Sequence, residues 1–310
     1  MILEIIIAIV LGLVAGGVVN VLADELPLRR PLRTPRYIPD AKRRAIHVPV
    51  LDEDGNDVTL EFVNKDDPAR PPIAWLGITA FLSGNRSGPD GSTRLSWRYP
   101  LTEIATVILM ITTVLVIEAL NSSPEVTEPV GPLQTIFWLI YMAIFVLITV
   151  IDIEHKLILF AVIIPSSFIA LADALLTGYP PALGEALIGG AAGFIVFFIL
   201  YNGGFLFTYV MGALRGQPIT EVALGYGDVM MAMLSGLILG WRLLIFALFI
   251  TVFLGAFGAI IYLLSRSLLG NRYSAYTALP YGPYIVAGTI LMLLFRDPIG
   301  PALFGAVFPN

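Results

Sequence analysis

Two carboxylates at the ends of apolar segments are the side chains best placed to do chemistry in this sequence. Asp228 follows Leu224-Gly225-Tyr226-Gly227 and opens an apolar run that continues to Leu239. Asp152 ends another apolar run, which begins at Leu133. An ionisable side chain at the end of a membrane helix is costly to desolvate. Each of these two acids is therefore a candidate functional residue. The competing interpretation is that each carboxylate only caps the start of a helix.

A pair of such acids can hydrolyse an amide bond if the fold brings them together. Two neighbouring carboxylates in a partly dehydrated site cannot both ionise easily, so one keeps its proton. The ionised group takes a proton from the attacking water. The protonated group polarises the carbonyl oxygen and later supplies a proton to the leaving nitrogen. The rival use is a proton or cation relay in a transporter, although transporter sites lie near the membrane midplane rather than at a helix boundary.

The composition places these acids in a membrane protein. Of 310 residues, 57% are apolar and 13% are charged, and there is no cysteine. Long apolar runs in this background predict an all-α polytopic membrane protein. The missing cysteines exclude disulfides, thiol catalysis and cysteine zinc sites. The lipid bilayer is the expected surrounding, and no nucleic-acid partner is expected.

Eight apolar segments are predicted to span the membrane, with a cytoplasmic insertion between the first and the second. The predicted division is a first transmembrane helix (1–24), the insertion (25–100) and a transmembrane core (101–310). Gly12 and Gly16 have the small-xxx-small spacing that predicts a close helix contact. The predicted spans are residues 2–22, 101–120, 133–151, 157–176, 186–210, 229–239, 243–264 and 281–295.

The insertion carries a strong positive charge near the membrane. Residues 29–44 contain seven basic residues and one acid, Asp40, so the insertion is predicted to be cytoplasmic. We interpret this basic cluster as a contact with anionic lipid. Alternation around Asp54-Gly55 predicts a small hairpin over residues 47–63, with His47 as a strand residue. Residues 72–82 are apolar but too few to span, which predicts a short interfacial helix.

The same topology puts both acids at one side of the membrane. With the insertion inside, the second and third spans return the chain to the cytoplasm at Asp152, and the fourth and fifth return it before Asp228. The sequence therefore predicts that the two carboxylates share a depth, without showing that they meet. His155, beside Asp152, is interpreted as solvent-exposed.

At these residues the chain resembles the type IV prepilin peptidases, the membrane aspartic peptidases of the GxGD type. LGYGDV at 224–229 resembles the family's second-aspartate motif, and IDIEHKLI at 151–158 resembles its first. Further stretches agree in order along the chain: GGVVNV at 16–21, the apolar piece at 72–82, LSWRYPLTE at 95–103 and LPYGP at 279–283.

The resemblance implies a function and assigns residues to it. Asp152 and Asp228 would be the catalytic pair, cleaving the leader of prepilin or pseudopilin-like substrates after a glycine at the cytoplasmic face of the inner membrane. Many family members then methylate the new N-terminus with S-adenosylmethionine. The supporting motif residues would be Gly225, Tyr226, Gly227, Pro280, Gly282 and Pro283, with Arg98, Tyr99, Pro100 and Glu103 as a motif of the cytoplasmic part.

The chain also departs from the family pattern. The usual two CxxC pairs are absent, so no zinc is expected and methylation is left open. Met230 stands where the family has a lysine, and Leu159-Phe160 stands where it has Pro-Asp. These departures support a rival interpretation, in which the chain is a degenerate homologue that binds pilin-like helices without cutting them. The transporter with two relay aspartates is the other alternative.

Overall fold

The computed structural model describes residues 1–45, 50, 57–89, 91, 93–123, 129–215, 224–268 and 280–305. These residues form helices joined by turns and loops and contain no β-strand, only isolated bridges such as the one between Arg36 and Ala69. The all-α prediction is therefore confirmed. The helices are α1 (Ile2–Glu25), α2 (Asp40–Arg44), α3 (Thr59–Asn64), α4 (Gly77–Leu82), α5 (Arg98–Ser122), α6 (Pro132–His155), α7 (Phe160–Leu176), α8 (Leu183–Arg215), α9 (Tyr226–Leu268), α10 (Gly282–Leu294) and α11 (Arg296–Phe304).

Among the described residues, five helices are long and apolar enough to cross a membrane. They are α1, α5, α6, α8 and α9, and the apolar helices α7 and α10 are shorter. Helix α9 contains both the sixth and the seventh predicted spans, separated at Gly240, where φ is 72° and ψ is 168°. Glycine adopts this left-handed φ without steric cost. Each predicted span therefore falls on a helix, and the chain is a multi-pass membrane protein.

The chain divides into two compact units. The first contains Met1–Ser123 and Trp138–His155, and the second contains Pro124–Phe137 and Lys156–Asn310. In the first unit, α1 packs against α5 through the predicted glycine contact. A Cβ on Gly12 would lie 2.7 Å from Val107 Cα, and one on Gly16 would lie 2.7 Å from Glu103 Cα. The small residues thus allow the two helix backbones to approach closely.

The insertion folds within the first unit around two apolar clusters. One consists of Leu28, Ile38, Ala45 and Val63, and the other of Tyr37, Ala74, Ala80, Leu95 and Tyr99. The predicted segment 72–82 forms a short 3₁₀ turn, Pro72–Ala74, followed by α4.

The second strand of the predicted hairpin, which would end at Val63, is wrong, because the chain is helical from Thr59 to Asn64. Val63 faces an apolar cluster while Leu60 is 79% exposed, so the alternating pattern is not used. The Asp57 carboxylate also accepts the N–H of Thr59 at 2.9 Å, at the start of this helix. His47 and the Asp54-Gly55 turn lie outside the described residues.

Several basic residues of the insertion pair with acids inside the protein rather than with lipid. Arg30 contacts Glu25 at 3.1 Å and Asp67 at 3.0 Å, and Lys42 contacts Asp67 at 2.8 Å. These side chains are almost completely buried. The lipid interpretation is therefore wrong for Arg30 and Lys42, because a buried charge needs a partner in the protein.

In the second unit, α9 packs against α8 and α10. Gly189 of α8 and Gly236 of α9 face each other so closely that a Cβ on Gly189 would lie 2.3 Å from the Gly236 carbonyl oxygen. On the other side of α9, the buried Thr289 hydroxyl of α10 donates to Ser235 Oγ at 2.8 Å. The first half of α9 is thus packed closely between α8 and α10, and a side chain added at Gly236 would not fit.

The glycine contact predicts opposite outcomes for two alanine substitutions in α8. Gly189→Ala forces backbones apart, and overpacking of this kind costs about 1–3 kcal/mol. Gly184→Ala is the matched control, because a Cβ there meets nothing within 4 Å. Thermal unfolding of the purified protein in detergent should show a lower Tm for Gly189→Ala and an unchanged or slightly higher Tm for Gly184→Ala. Equal Tm values would contradict the packing.

Candidate active site

Asp228 lies in the first turn of α9 and is only 8% exposed. Its Oδ2 accepts the N–H of Gly225 at 3.0 Å, and its own N–H donates to the Gly225 carbonyl at 3.1 Å. This is the geometry in which an acidic side chain caps the first turn of its own helix. Capping therefore occurs, and it orients a carboxylate that is almost completely buried.

The two glycines of the LGYGDV motif have different roles. A Cβ on Gly227 would lie 2.7 Å from Ile158 Cβ, whereas one on Gly225 would make an ordinary contact of 3.4 Å with Asp228 Oδ2. Only glycine thus fits at 227, where the start of α9 packs against the segment that precedes α7. Packing alone does not require glycine at 225.

Tyr226 connects the motif to two other helices of the second unit. Its ring centroid lies 5.9 Å from that of Phe160 in α7 and 5.6 Å from that of Tyr201 in α8. Aromatic rings at these separations attract each other beyond the area they bury. Phe160, a departure from the family pattern, is therefore a packing partner of the motif tyrosine.

Gly282 and Pro283 of the LPYGP motif lie in the first turn of α10, which begins at Gly282. Proline suits this position because its missing N–H would have no helical partner. A Cβ on Gly255 of α9 would lie 2.9 Å from the Tyr281 ring. The residue that precedes α10, Tyr281, therefore packs closely against α9.

Asp152 lies in the first unit, in the last turn of α6, and is 4% exposed. It does not cap α7, which begins at Phe160 with Leu159 as its N-cap residue. The capping interpretation of Asp152 is therefore wrong. His155 is 5% exposed, so the prediction that it is solvent-exposed is wrong as well. The reason is that this helix end is packed inside the unit rather than forming a surface turn.

Glu154, in the same turn, belongs to a ring of ion pairs, here called the carboxylate–guanidinium ring and formed by Asp24, Arg43, Arg98 and Glu154. Arg43 donates to Asp24 at 3.0 Å and to Glu154 at 3.2 Å. Arg98 donates to Asp24 at 2.6 Å and to Glu154 at 3.0 Å. Each guanidinium uses separate nitrogens for the two acids, which its planar fork permits. The ring thus joins α1, α2, α5 and α6.

Tyr99 packs against this ring and contacts both Asp24 and Arg98. Its hydroxyl donates to Asp24 Oδ2 at 2.9 Å, and its ring is 1% exposed. The guanidinium carbons of Arg98 and Arg70 lie 4.2 Å and 4.3 Å from its centroid, within cation–π range. Pro100 is buried in the first turn of α5, where proline is tolerated. The predicted motif Arg98, Tyr99 and Pro100 is therefore an anchoring element at the start of α5.

Glu103, the last residue of that motif, joins three parts of the first unit. Its carboxylate is fully buried and accepts the N–H groups of Gly77 at 2.5 Å and Ile78 at 2.8 Å. It also accepts the Asn20 side-chain amide at 3.1 Å. Three of the stretches that carry the family resemblance thus meet at one carboxylate.

Sequence reasoning missed Asp24, Arg43, Arg70 and the role of Glu154. One signal was available, since Asp24 is an acid at the end of the apolar helix α1. Arg43 belongs to the basic cluster that was predicted to contact lipid. In the structure it pairs instead with Asp24 and Glu154. Asp173, a further buried acid in the second unit, accepts hydrogen bonds from Gln134 and Thr177, both at 3.1 Å.

A zinc site of the family type does not fit this chain. The sequence has no cysteine, and the described residues include no group of three His, Asp or Glu side chains that could hold a metal ion. The buried ion pairs of Arg30, Lys42 and Asp67 instead connect the parts of the insertion.

The Glu103 contacts predict a large loss of stability when the carboxylate is removed. Glu103→Ala leaves three donors without their acceptor, which costs about 3 kcal/mol or more in a buried site. Glu118→Ala is the control, because Glu118 is an exposed acid of the same helix. Thermal unfolding in detergent should separate the two variants clearly. A Glu103→Ala variant as stable as Glu118→Ala would contradict this network.

The family model and the individual relatives that match this chain indicate the same family. Residues 139–260, which include Asp152 and Asp228, match the type IV leader peptidase family. The chain is 30% identical over 204 residues to the prepilin leader peptidase/N-methyltransferase of Klebsiella pneumoniae, covering 64% of this chain and 78% of that protein. No solved structure matches the chain.

Proteins with the same name in other organisms are similar over comparable lengths. The protein from Aeromonas salmonicida (strain A449) is 29% identical over 229 residues, covering 74% of this chain and 67% of that protein. The protein from Bacillus subtilis (strain 168) is 28% identical over 230 residues, covering 74% of this chain and 78% of that protein. With its two motif aspartates at membrane helix ends and this similarity along most of its length, the chain belongs to the type IV leader peptidase family.

Proposed function

We propose that this peptidase cleaves the leader from prepilin or pseudopilin-like proteins at the cytoplasmic face of the inner membrane, with Asp152 and Asp228 as its catalytic pair. The observation that carries the proposal is that each motif aspartate is a buried carboxylate in a terminal turn of a membrane helix. The names of the relatives supply the substrate class. The basic residues at 29–44 support the cytoplasmic face.

The proposed reaction divides acid and base work between the two carboxylates. The ionised carboxylate accepts a proton from a water molecule as its oxygen bonds to the amide carbon. The protonated carboxylate first polarises the carbonyl oxygen through a hydrogen bond and then gives its proton to the leaving nitrogen as the C–N bond breaks. Proteolysis by this route needs no cofactor. No described contact favours transfer of a methyl group from S-adenosylmethionine, so the proposal is for cleavage alone.

The departures from the family pattern are compatible with an active site. Phe160 packs against Tyr226 of the motif, and Leu159 is the residue that precedes the first turn of α7. Met230 is partly buried one turn into α9. Phe160 and Leu159 thus have structural roles, so these two departures are compatible with a divergent enzyme. The transporter alternative is less favoured, since both acids lie in terminal helix turns.

The catalytic pair predicts that neither aspartate can be replaced. Asp152→Asn and Asp228→Asn should each lower cleavage of a co-expressed prepilin-like substrate by at least about a hundredfold, since proton transfer by a positioned group contributes that much. Asp173→Asn is the control, a buried acid of the second unit that contacts Gln134 and Thr177. It should retain cleavage. Wild-type cleavage by either motif variant would remove the assignment.

The absence of cysteine predicts that metal removal has no effect. Neither the proposed catalytic pair, Asp152 and Asp228, nor the ion-paired insertion needs zinc. Cleavage by the purified peptidase should therefore be unchanged after dialysis against a strong chelator. Its Tm should be unchanged as well. Loss of activity in the chelator, with recovery on adding zinc alone, would show that a metal site exists.

A further inference from the structure

The end of α6 is held in place by the carboxylate–guanidinium ring rather than by a further helical turn. Helix α6 ends at His155, and Lys156 has the left-handed φ of 51° that follows many helix ends. Glu154 contacts both Arg43, at 3.2 Å, and Arg98, at 3.0 Å. The last turn of α6 is therefore tied to two other helices through one side chain.

The geometry of the ring makes this tie rigid. Both guanidiniums also contact Asp24 Oδ1, at 3.0 Å and 2.6 Å, so every member of the ring contacts two others. The side chains of Arg98 and Arg43 are 11% and 15% exposed, so little water competes for their donors. The ring contains two carboxylates and two guanidiniums, and a third guanidinium, that of Arg70, lies 3.6 Å from Asp24 Oδ2. A displacement of Glu154 would break two charge-assisted hydrogen bonds at once.

Asp152 lies on the same helical turn as Glu154. Two residues along an α-helix correspond to about 3 Å of rise, so the backbones at these positions move together. Asp152 is 4% exposed, so its carboxylate already occupies a confined place in the first unit. A misplacement of about 1 Å can cost about a hundredfold in rate when two groups must meet a reacting bond.

We propose that Glu154 and Arg98 are positioning residues: with Asp24 and Arg43 they fix the last turn of α6 and so the place where Asp152 presents its carboxylate. The proposal rests on the proposed function only in treating Asp152 as a catalytic group. The restraint on α6 is a property of the first unit and can be measured without any substrate.

The first test reads the motion of the helix end directly. Because the chain has no cysteine, Ile153→Cys provides a single site for a nitroxide spin label, and Ile153 is 59% exposed. Glu154→Gln removes the charge, and Arg98→Lys keeps the charge but cannot contact Asp24 and Glu154 with separate nitrogens. Both changes should increase the mobility of the label in its electron paramagnetic resonance spectrum.

Asp66→Asn is the matched control for this measurement. Asp66 also pairs with two arginines of the first unit, Arg33 and Arg36, but its side chain is 74% exposed and it lies far along the chain from α6. Its loss should leave the label as immobile as in the unaltered background. Equal label mobility in all backgrounds would overturn the positioning role.

The second test separates positioning from substrate binding. Without the spin label, Glu154→Gln and Arg98→Lys should each lower kcat at least about tenfold while KM changes by less than about twofold, because the lost contact orients a reacting group. The double variant should be no slower than the slower single variant, since both changes break one ring. Glu154→Asp, which keeps the charge, should recover part of kcat. Wild-type kcat in Glu154→Gln, or additive losses in the double variant, would overturn the proposal.

The two tests also keep the proposal distinct from the proposed function. Increased label mobility together with an active Asp152→Asn variant would remove Asp152 from catalysis and leave the restraint on α6 supported. Unchanged label mobility would overturn the restraint even if Asp152→Asn is inactive.

Discussion

The pairing of buried charges is the constraint on which the first unit depends. A charge inside a membrane protein must have a partner, because losing one member of a buried pair costs about 3–5 kcal/mol. Asp24 lies at the end of an apolar helix, and its contacts with Arg43 and Arg98 bring α2 and the start of α5 to that end. Glu154 adds the end of α6 to the same set. The pairs thus link the last turn of α6, which carries Asp152, to the insertion and to α5.

The second unit depends instead on small residues and tight turns. Gly189 and Gly236 let α8 and α9 approach, and Gly240 changes the direction of α9 with a φ that favours glycine. Gly227 leaves room for Ile158 next to the turn that carries Asp228. Added atoms at these positions would displace a helix and with it the turn that carries Asp228. In the second unit, close packing therefore restrains the turn that carries Asp228.

In the part of the chain that the structure describes, the insertion is held by buried ion pairs and hydrogen bonds rather than by a zinc site. Metal binding supplies folding free energy to a zinc-bearing segment. In this chain, Asp67 connects Arg30 and Lys42 in a buried chain of pairs, and Glu103 accepts backbone donors at the start of α4. These contacts link the insertion to α1 and α5, the helices on either side of it. The described part of the insertion is therefore held by internal contacts in a chain that has no cysteine.

The sequence by itself determined the membrane helices, the all-α class and the motif residues. Apolar runs can be recognised locally, because a helix that spans a membrane must satisfy its own backbone hydrogen bonds within one segment. The acids at the ends of those runs could be found in the same way. The small-xxx-small spacing of Gly12 and Gly16 also predicted a contact that the structure contains.

Only the tertiary structure decided how the polar residues are used. Arg43 and Glu154 are 111 positions apart, and Arg98 and Asp24 are 74 apart, so no local pattern could predict their pairing. The same holds for the burial of His155, the helix at Thr59 and the different requirements at Gly225 and Gly227. Hydrophobic periodicity follows from a segment's own geometry, whereas an ion pair or a steric limit depends on which distant segment comes next to it.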